Sequence, residues 1–262
     1  VYLKDAEKIL APYIGKRISL NAAENQYQVA LAKNDNPSAS NKPNAIKLPS
    51  INTSDLKLRN LNSLRQADSV YCGSKAANLG QINANIKTAN VPDGFCIPFG
   101  YYQQFLQQLG IDSQYLQHME ASFKGNNRAR RAGLLALQEK IQAAPVPQAW
   151  QDAWSAQWQS QLQGQGVFVR SSSNSEDLPN FSGAGLYTTV PNVKSKQALS
   201  EAVKQSWASV FNYSAYEARR IAGLPHDSVM VWLSNPLPMA RRTGGKAASP
   251  MPAALPAATM TW

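Results

Sequence analysis

The sequence predicts an α+β architecture, and three observations carry the prediction. Stretches with helical periodicity alternate with short apolar runs, the two do not follow a strict strand–helix–strand rhythm, and no internal repeat is present. Layers of helix and small sheet satisfy that pattern better than a doubly wound parallel sheet.

In chain order, residues 3–14 read as a short helix. Two alternating segments follow, Arg17–Asn21 and Tyr27–Ala32, joined by Ala-Ala-Glu-Asn in the manner of a hairpin. Residues 34–50 are rich in Asn, Ser and Pro and poor in large apolar residues, so they read as a linker. From Ile51 the texture changes. Lys75–Ile86 is helical, with Ala76, Leu79 and Ile82 on one face at spacings of three. Val91-Pro-Asp-Gly94 turns into a short strand, Phe95–Ile97, and helices are expected over Gly100–Leu109, Ser113–Phe123, Arg128–Ala144 and Gln148–Leu162. Val167–Arg170 reads as a buried strand, Ala198–Phe211 and Ala215–Ala222 as helices, and Ser228–Trp232 as a strand. The expected organisation is therefore a domain remnant over 1–33, a linker over 34–50, a main domain over 51–234 and a tail over 235–262.

Composition narrows the class. At 262 residues the chain can form one large domain or two small ones. Hydrophobic residues at 44% with 16% charged exclude a disordered or collagen-like chain, and no window approaches the roughly 18 apolar residues of a spanning helix. The chain opens at Val1 without Met or a signal-like pattern, as expected of an internal piece of a longer protein, and any export signal upstream would not be visible. Two cysteines, Cys72 and Cys96, make no disulfide scaffold and are expected as partly buried free thiols. With two histidines and no Cys-x-x-Cys, a structural zinc site is not expected. The net charge of +10 raises nucleic acid or an anionic surface as partner, but its distribution weakens that reading. Arg128, Arg130 and Arg131 open a helix and read as a solvated face, while Arg241, Arg242 and Lys246 fall in the tail.

Two segments carry chemistry. In Gly73-Ser-Lys-Ala-Ala-Asn-Leu-Gly80, a glycine allows a tight turn, free amides of a first helical turn favour an anion, and Lys75 adds a point charge suited to phosphate. The spacing is not that of a Walker A loop. Taken alone, a Gly-Ser-Lys helix start is more often a plain cap. In the second segment, Val167 to Thr189, Arg170 closes a buried strand, serines crowd Ser171–Ser175, and Ser182-Gly-Ala-Gly185 lets backbone amides approach a ligand. Arginine, hydroxyls and glycines are what a polyphosphate needs; a flexible surface loop is the bland alternative.

The order GSKAANLG, VPDGFCIPFGYYQQFL, VFVRSSSNSEDLPNFSGAGLYTTVPNV, SWASVFNYSAYEARRIAGLPHDSVMV resembles the N-terminal nucleotide-binding region of PEP synthases, pyruvate phosphate dikinases and rifampin phosphotransferases. That region is a variant ATP-grasp fold, and the resemblance runs from about Leu56 to about Val231. The IPFG, SGAGLY and Trp-Ala-Ser-Val-Phe details look closest to the glucan, water dikinase branch. The resemblance implies that Lys75 contacts ATP phosphates and that Arg170, with Ser171 beside it, holds the triphosphate from the strand end. It implies a flexible loop from Gly183 to Thr189 over the β- and γ-phosphates, with Gly185 and Thr189 matching the family's Gly and Thr. Leu186 and Tyr187 replace glutamines of the synthase pattern. Glu176 and Asp177 match an acidic pair, for which loop anchoring is favoured over metal binding, and Asn78 and Ser171 to Ser173 support the site.

Members of the family pass the β-phosphoryl group of ATP to a histidine on a separate domain and then to pyruvate, a glucan or another acceptor. Neither His118 nor His226 lies in a phosphohistidine-type segment. After Val231 the sequence departs from the family into an Ala- and Pro-rich stretch without acidic residues, which reads as a truncated domain followed by a non-native or frameshifted tail, with a functional linker as the alternative. The Mg2+ ligands are thus expected outside this chain, as are the phosphohistidine and acceptor domains, and the chain alone is expected to bind nucleotide weakly without turnover. ATP dependence implies the cytoplasm. A regulatory nucleotide-binding module without catalysis is the alternative.

Overall fold

The computed structural model describes residues 10–13, 18–23, 26–31, 48–175, 177–178, 181–183 and 185–226. Most of the expected N-terminal helix, most of the linker, the Ser228–Trp232 strand and the tail lie outside the described residues. Two compact units partition the chain. One contains the hairpin of β1 (Ile18–Ala23) and β2 (Gln26–Leu31), antiparallel, with Ile18 opposite Leu31 and Ala23 opposite Gln26. Both strands run two residues or one further into the connection than the alternation suggests, leaving two residues between them.

The larger unit is assembled from seven helices and three short antiparallel strand pairs among the described residues. Strand β3 (Arg59–Asn60) pairs with β4 (Phe95–Cys96), β5 (Val167–Val169) with β8 (Val190–Val193), and β6 (Asp177–Leu178) with β7 (Phe181–Ser182). The helices are α1 (Ser69–Asn85), α2 (Phe99–Gln108), α3 (Ser113–Ser122), α4 (Asn127–Ala143), α5 (Gln148–Leu162), α6 (Lys196–Ala208) and α7 (Tyr213–Ile221). Mixed helices and small sheets make this an α+β structure.

Local chemistry sets the helix boundaries. The Asp112 carboxylate accepts from the Tyr115 amide at the start of α3, Asn126 accepts from Arg128 and Ala129 at α4, and Ser195 accepts from Ala198 at α6. Each satisfies amides that the first turn leaves without a partner. Helix α5 starts after Pro147 and ends at Gln163, which takes the left-handed conformation. The helices then bury apolar faces at helical spacing, such as Leu134, Leu137 and Ile141 on α4. An aromatic run binds three of them together: Tyr101 of α2 meets Trp150 and Trp154 of α5 edge-on at 5.1 and 5.4 Å, Trp154 meets Trp207 of α6 at 5.9 Å, and Trp207 meets Phe105 of α2 at 5.0 Å.

Three sequence expectations are corrected here. Cys72 and Cys96 are not free thiols: they form a disulfide joining α1 to β4, fully buried with Leu61, Leu64 and Ala76. The buried face of α1 is not Ala76, Leu79 and Ile82 but Cys72, Gly73, Ala76, Ala77 and Gly80; Ile82 is exposed. Small residues are needed because the helix lies on the turn at Leu61–Ser63, where a Cβ on Gly80 would stand 2.5 Å from the Leu61 carbonyl oxygen. The arginines opening α4 are not all solvated. Arg130 is 3% exposed and pairs with Glu120 at 2.8 Å and Glu217 at 3.4 Å, and the Arg131 guanidinium lies 3.6 Å from the Tyr213 ring centre.

Candidate functional site

Helix α1 is interrupted at Gly73, whose φ of 74° and ψ of 166° belong to a region open essentially to glycine alone. The chain turns there and helical geometry resumes at Ser74, so that Lys75, half-buried, stands in the first turn after the break. Space imposes a second requirement for glycine. A Cβ at Gly73 would lie 2.5 Å from the Ser172 hydroxyl oxygen and 2.9 Å from the Ser172 carbonyl carbon. The two segments singled out in the sequence therefore touch, backbone against backbone, with Lys75 two residues after the contact on one side and Arg170 two residues before it on the other.

Arg170 follows strand β5 directly. Its side chain is exposed, with the guanidinium 5.7 Å from the Phe168 ring centre. The chain then dives inward: Ser171, Ser172, Ser173, Asn174 and Ser175 are each 5% exposed or less. Buried hydroxyls require partners, and most of these have them. The Ser175 amide donates to Ser173 Oγ at 2.9 Å, the two hydroxyls share a bond at 2.9 Å, and Ser175 Oγ bonds the Tyr187 hydroxyl at 3.0 Å. Ser172 Oγ, facing Gly73, is buried without a hydrogen-bond partner among the described residues.

The glycine segment follows the β6–β7 pair. Gly183 is buried, and its carbonyl accepts from the Leu186 amide at 3.2 Å. Gly185, at φ +76°, is exposed, and a Cβ there would meet nothing within 4 Å. Thr189 is exposed at the entry to β8. Between them Tyr187 is buried in the main core, and the Thr188 amide donates to Ser209 Oγ at 3.0 Å. Two contacts, Gly73 with Ser172 and Ser175 with Tyr187, thus gather the elements carrying Lys75, Arg170, Ser171, Gly183, Gly185 and Thr189.

The other residues picked from the sequence fall elsewhere. Asn78 is exposed on α1, His118 is exposed on α3, and His226 stacks on Tyr216 with ring centres 3.6 Å apart. Glu176 and the Asp177 side chain lie outside the described residues. Tyr187 and Arg219 went unnoticed as a pair, although Ala215, Tyr216 and Arg219 fall on one face of α7 and the period alone assigns Arg219 to the buried side. Among the described residues no three His, Cys, Asp or Glu side chains converge. No helix among them is long and apolar enough to cross a membrane.

A glycine-hinged helix start with a lysine, set against a strand mouth with an arginine and a glycine loop, gives this α+β domain the types of group that an anion site uses. The chain belongs to the family described as pyruvate phosphate dikinase, AMP/ATP-binding domain, which it matches over residues 69–233. It is similar to a rifampicin phosphotransferase of Bacillus cereus, 32% identical over 160 residues, covering 61% of this chain and 18% of that protein. A rifampicin phosphotransferase of a Streptomyces species is 28% identical over 157 residues, 60% of this chain and 18% of the relative. A probable phosphoenolpyruvate synthase of Staphylothermus marinus is 26% identical over 193 residues, 71% of this chain and 23% of the relative. The chain spans roughly a fifth of the length of these relatives.

Proposed function

We propose that this domain is the ATP-holding part of a dikinase-type phosphotransferase, with an ATP-grasp-like arrangement in which Lys75 and Arg170 flank the phosphates and the Gly183–Thr189 loop covers them. The observation that supports this reading is the Gly73–Ser172 contact, which brings the helix start carrying Lys75 against the strand mouth carrying Arg170, two cationic residues on adjoining segments suited to a polyphosphate. In the parent protein the β-phosphoryl group of ATP passes to a histidine on another domain and then to pyruvate, a glucan or a further acceptor. Charge neutralisation by Lys75 and Arg170 and close approach by the amides at Gly183 and Gly185 are the parts this chain supplies. Mg2+, when present, neutralises phosphate charge, with ligands outside the described residues. The cytoplasm is the compartment that ATP use favours.

A second reading, a nucleotide-binding module without turnover, is favoured by Tyr187: its ring fills core space where the synthase pattern has a glutamine, so this position offers the phosphates no amide.

The test is thermal unfolding of the chain with and without Mg·ATP, beside Lys75→Ala and Arg170→Ala. A ligand that binds only the folded state raises the midpoint, by an amount equivalent to about 2.7 kcal/mol at a hundred times Kd. A shift in the parent that both variants lose supports the site. A folded parent that does not shift at millimolar nucleotide sinks it.

A further inference from the structure

A buried line of polar groups runs behind the glycine loop. Arg219 is fully buried and forms no ion pair among the described residues. Its Nη2 donates to the Val210 carbonyl at 2.5 Å and its Nη1 to the Tyr187 hydroxyl at 3.3 Å, while its Nε has no partner there. Guanidinium only donates, so the Tyr187 oxygen accepts from it, and the Tyr187 and Ser175 hydroxyls, 3.0 Å apart, share a hydrogen bond in which either can donate. From there the line continues to Ser173. An apolar residue would fill the Arg219 site at a lower desolvation cost, so packing alone does not account for a buried cation.

The loop residues beside Tyr187 are held as well. The Leu186 carbonyl accepts from Asn212 Nδ2 at 3.3 Å, and the Thr188 amide donates to Ser209 Oγ, which in turn donates to the Ser206 carbonyl at 2.6 Å. The heel of the loop is thus fixed at three consecutive residues, whereas Gly185 at its tip is exposed with open space around it.

We propose that Tyr187, held between Arg219 and Ser175, is a positioning residue that fixes the heel of the glycine loop against the strand mouth and so sets where the loop tip meets the distal phosphates of the nucleotide. This rests on the nucleotide site proposed above. Arg219 and Ser175 act through Tyr187 and touch no ligand. Because the tip serves the β- and γ-phosphates, the anchor bears on ATP and leaves AMP unaffected. Loss of the hydroxyl in Tyr187→Phe keeps the ring in the core and removes one bond to a charged donor and one to a hydroxyl.

The experiment is calorimetric titration of the full chain with Mg·ATP and with AMP, for the parent, Lys75→Ala, Tyr187→Phe and Ser175→Ala. The expected result is a Kd for ATP about tenfold weaker in Tyr187→Phe, from loss of one charge-assisted bond, with the Kd for AMP within about twofold of the parent. Ser175→Ala leaves the Tyr187–Arg219 bond in place and carries the same test if Tyr187→Phe does not fold. Unchanged ATP affinity, or equal weakening for both nucleotides, overturns the anchor while Lys75→Ala still identifies the site. A parent that prefers ATP no more than AMP overturns the site reading, and the anchor falls with it.

Discussion

At the scale of single residues, Gly73 has two separable reasons to be glycine. Its φ of 74° with ψ of 166° excludes side chains on backbone grounds, and the Ser172 main chain excludes them on packing grounds. Gly110 offers a control, since it has φ +67° but open space where a Cβ would stand. Alanine at Gly110 should cost about 1 kcal/mol, the price of a left-handed alanine. Alanine at Gly73 should cost about 3 kcal/mol or more, because strain and overpacking add. Urea midpoints of the two variants measure the difference directly. Nucleotide-induced stabilisation should disappear in Gly73→Ala and persist in Gly110→Ala, since only the former pushes the Lys75 helix start away from the strand mouth. Equal costs at the two positions would mean that the Gly73–Ser172 approach is looser than the geometry shows.

At the scale of elements, helices α3, α4 and α7 are tied by one charged cluster. Glu120 accepts from Arg130 and, at 2.9 Å, from the Tyr216 hydroxyl, while Glu217 pairs with Arg130 and, at 2.7 Å, with Arg220. Burial acts to raise the Glu120 pKa, but the hydrogen bonds from Arg130 and Tyr216 and the Arg130 charge together hold it below the usual glutamate value. Burial and the bond to Glu120 push the Tyr216 phenol up, so it stays a donor across the accessible range. A carboxylate whose folded pKa is depressed contributes stability that is present above its unfolded pKa, about 4.3, and lost as pH falls through the folded value. Glu120→Gln should therefore destabilise the domain by about 2 kcal/mol at neutral pH, with the gap to the parent closing as pH is lowered below about 4. Denaturant midpoints at pH 7 and pH 3 check this; a gap that stays constant with pH would exclude Glu120 ionisation as its source. The same scale shows what sequence makes legible. The span of α5 matches the reading from Gln148 to Leu162 because Pro147 opens it and a left-handed Gln163 closes it, and Asn126 and Ser195 mark other starts by capping chemistry. Strands β4 and β5 match the reading at Phe95–Ile97 and Val167–Arg170, whereas their partners β3 and β8 and the β6–β7 pair carry no such signal: two residues have no alternation, and β8 contains Pro191, which argues against a strand unless it lies at an edge. The Gly73–Gly80 and Val167–Thr189 segments stand out through composition, while their mutual contact, and the Tyr187–Arg219 bond behind them, depend on tertiary approach that no local pattern encodes.

At the scale of the whole molecule, the Cys72–Cys96 bond is the feature that most changes the physical account. Sequence spacing alone does not reveal it, because the 24-residue separation acquires meaning only once β4 returns beside the start of α1. Its effect lies mainly in the unfolded chain, where closing a loop of that length removes conformational entropy equivalent to about 3 kcal/mol. Both cysteines are fully buried beside Leu61 and Leu64, so a reductant reaches the bond when the surrounding structure opens. A compartment that keeps thiols reduced opposes the bond, so the redox state during folding decides which form accumulates. Purified chain unfolded and refolded under reductant should melt about 10 °C below the oxidised form, given the few degrees per kcal/mol typical of a domain this size. A Cys72→Ala, Cys96→Ala double variant should match the reduced form and show no response to reductant. Because the bond lies one residue before Gly73, the reduced form should also give a smaller nucleotide-induced shift, as the helix start bearing Lys75 loses its covalent tie to β4. Identical melting with and without reductant in the parent would mean that the two sulfurs stay as thiols and that Leu61, Leu64 and Ala76 alone hold the α1 hinge in place.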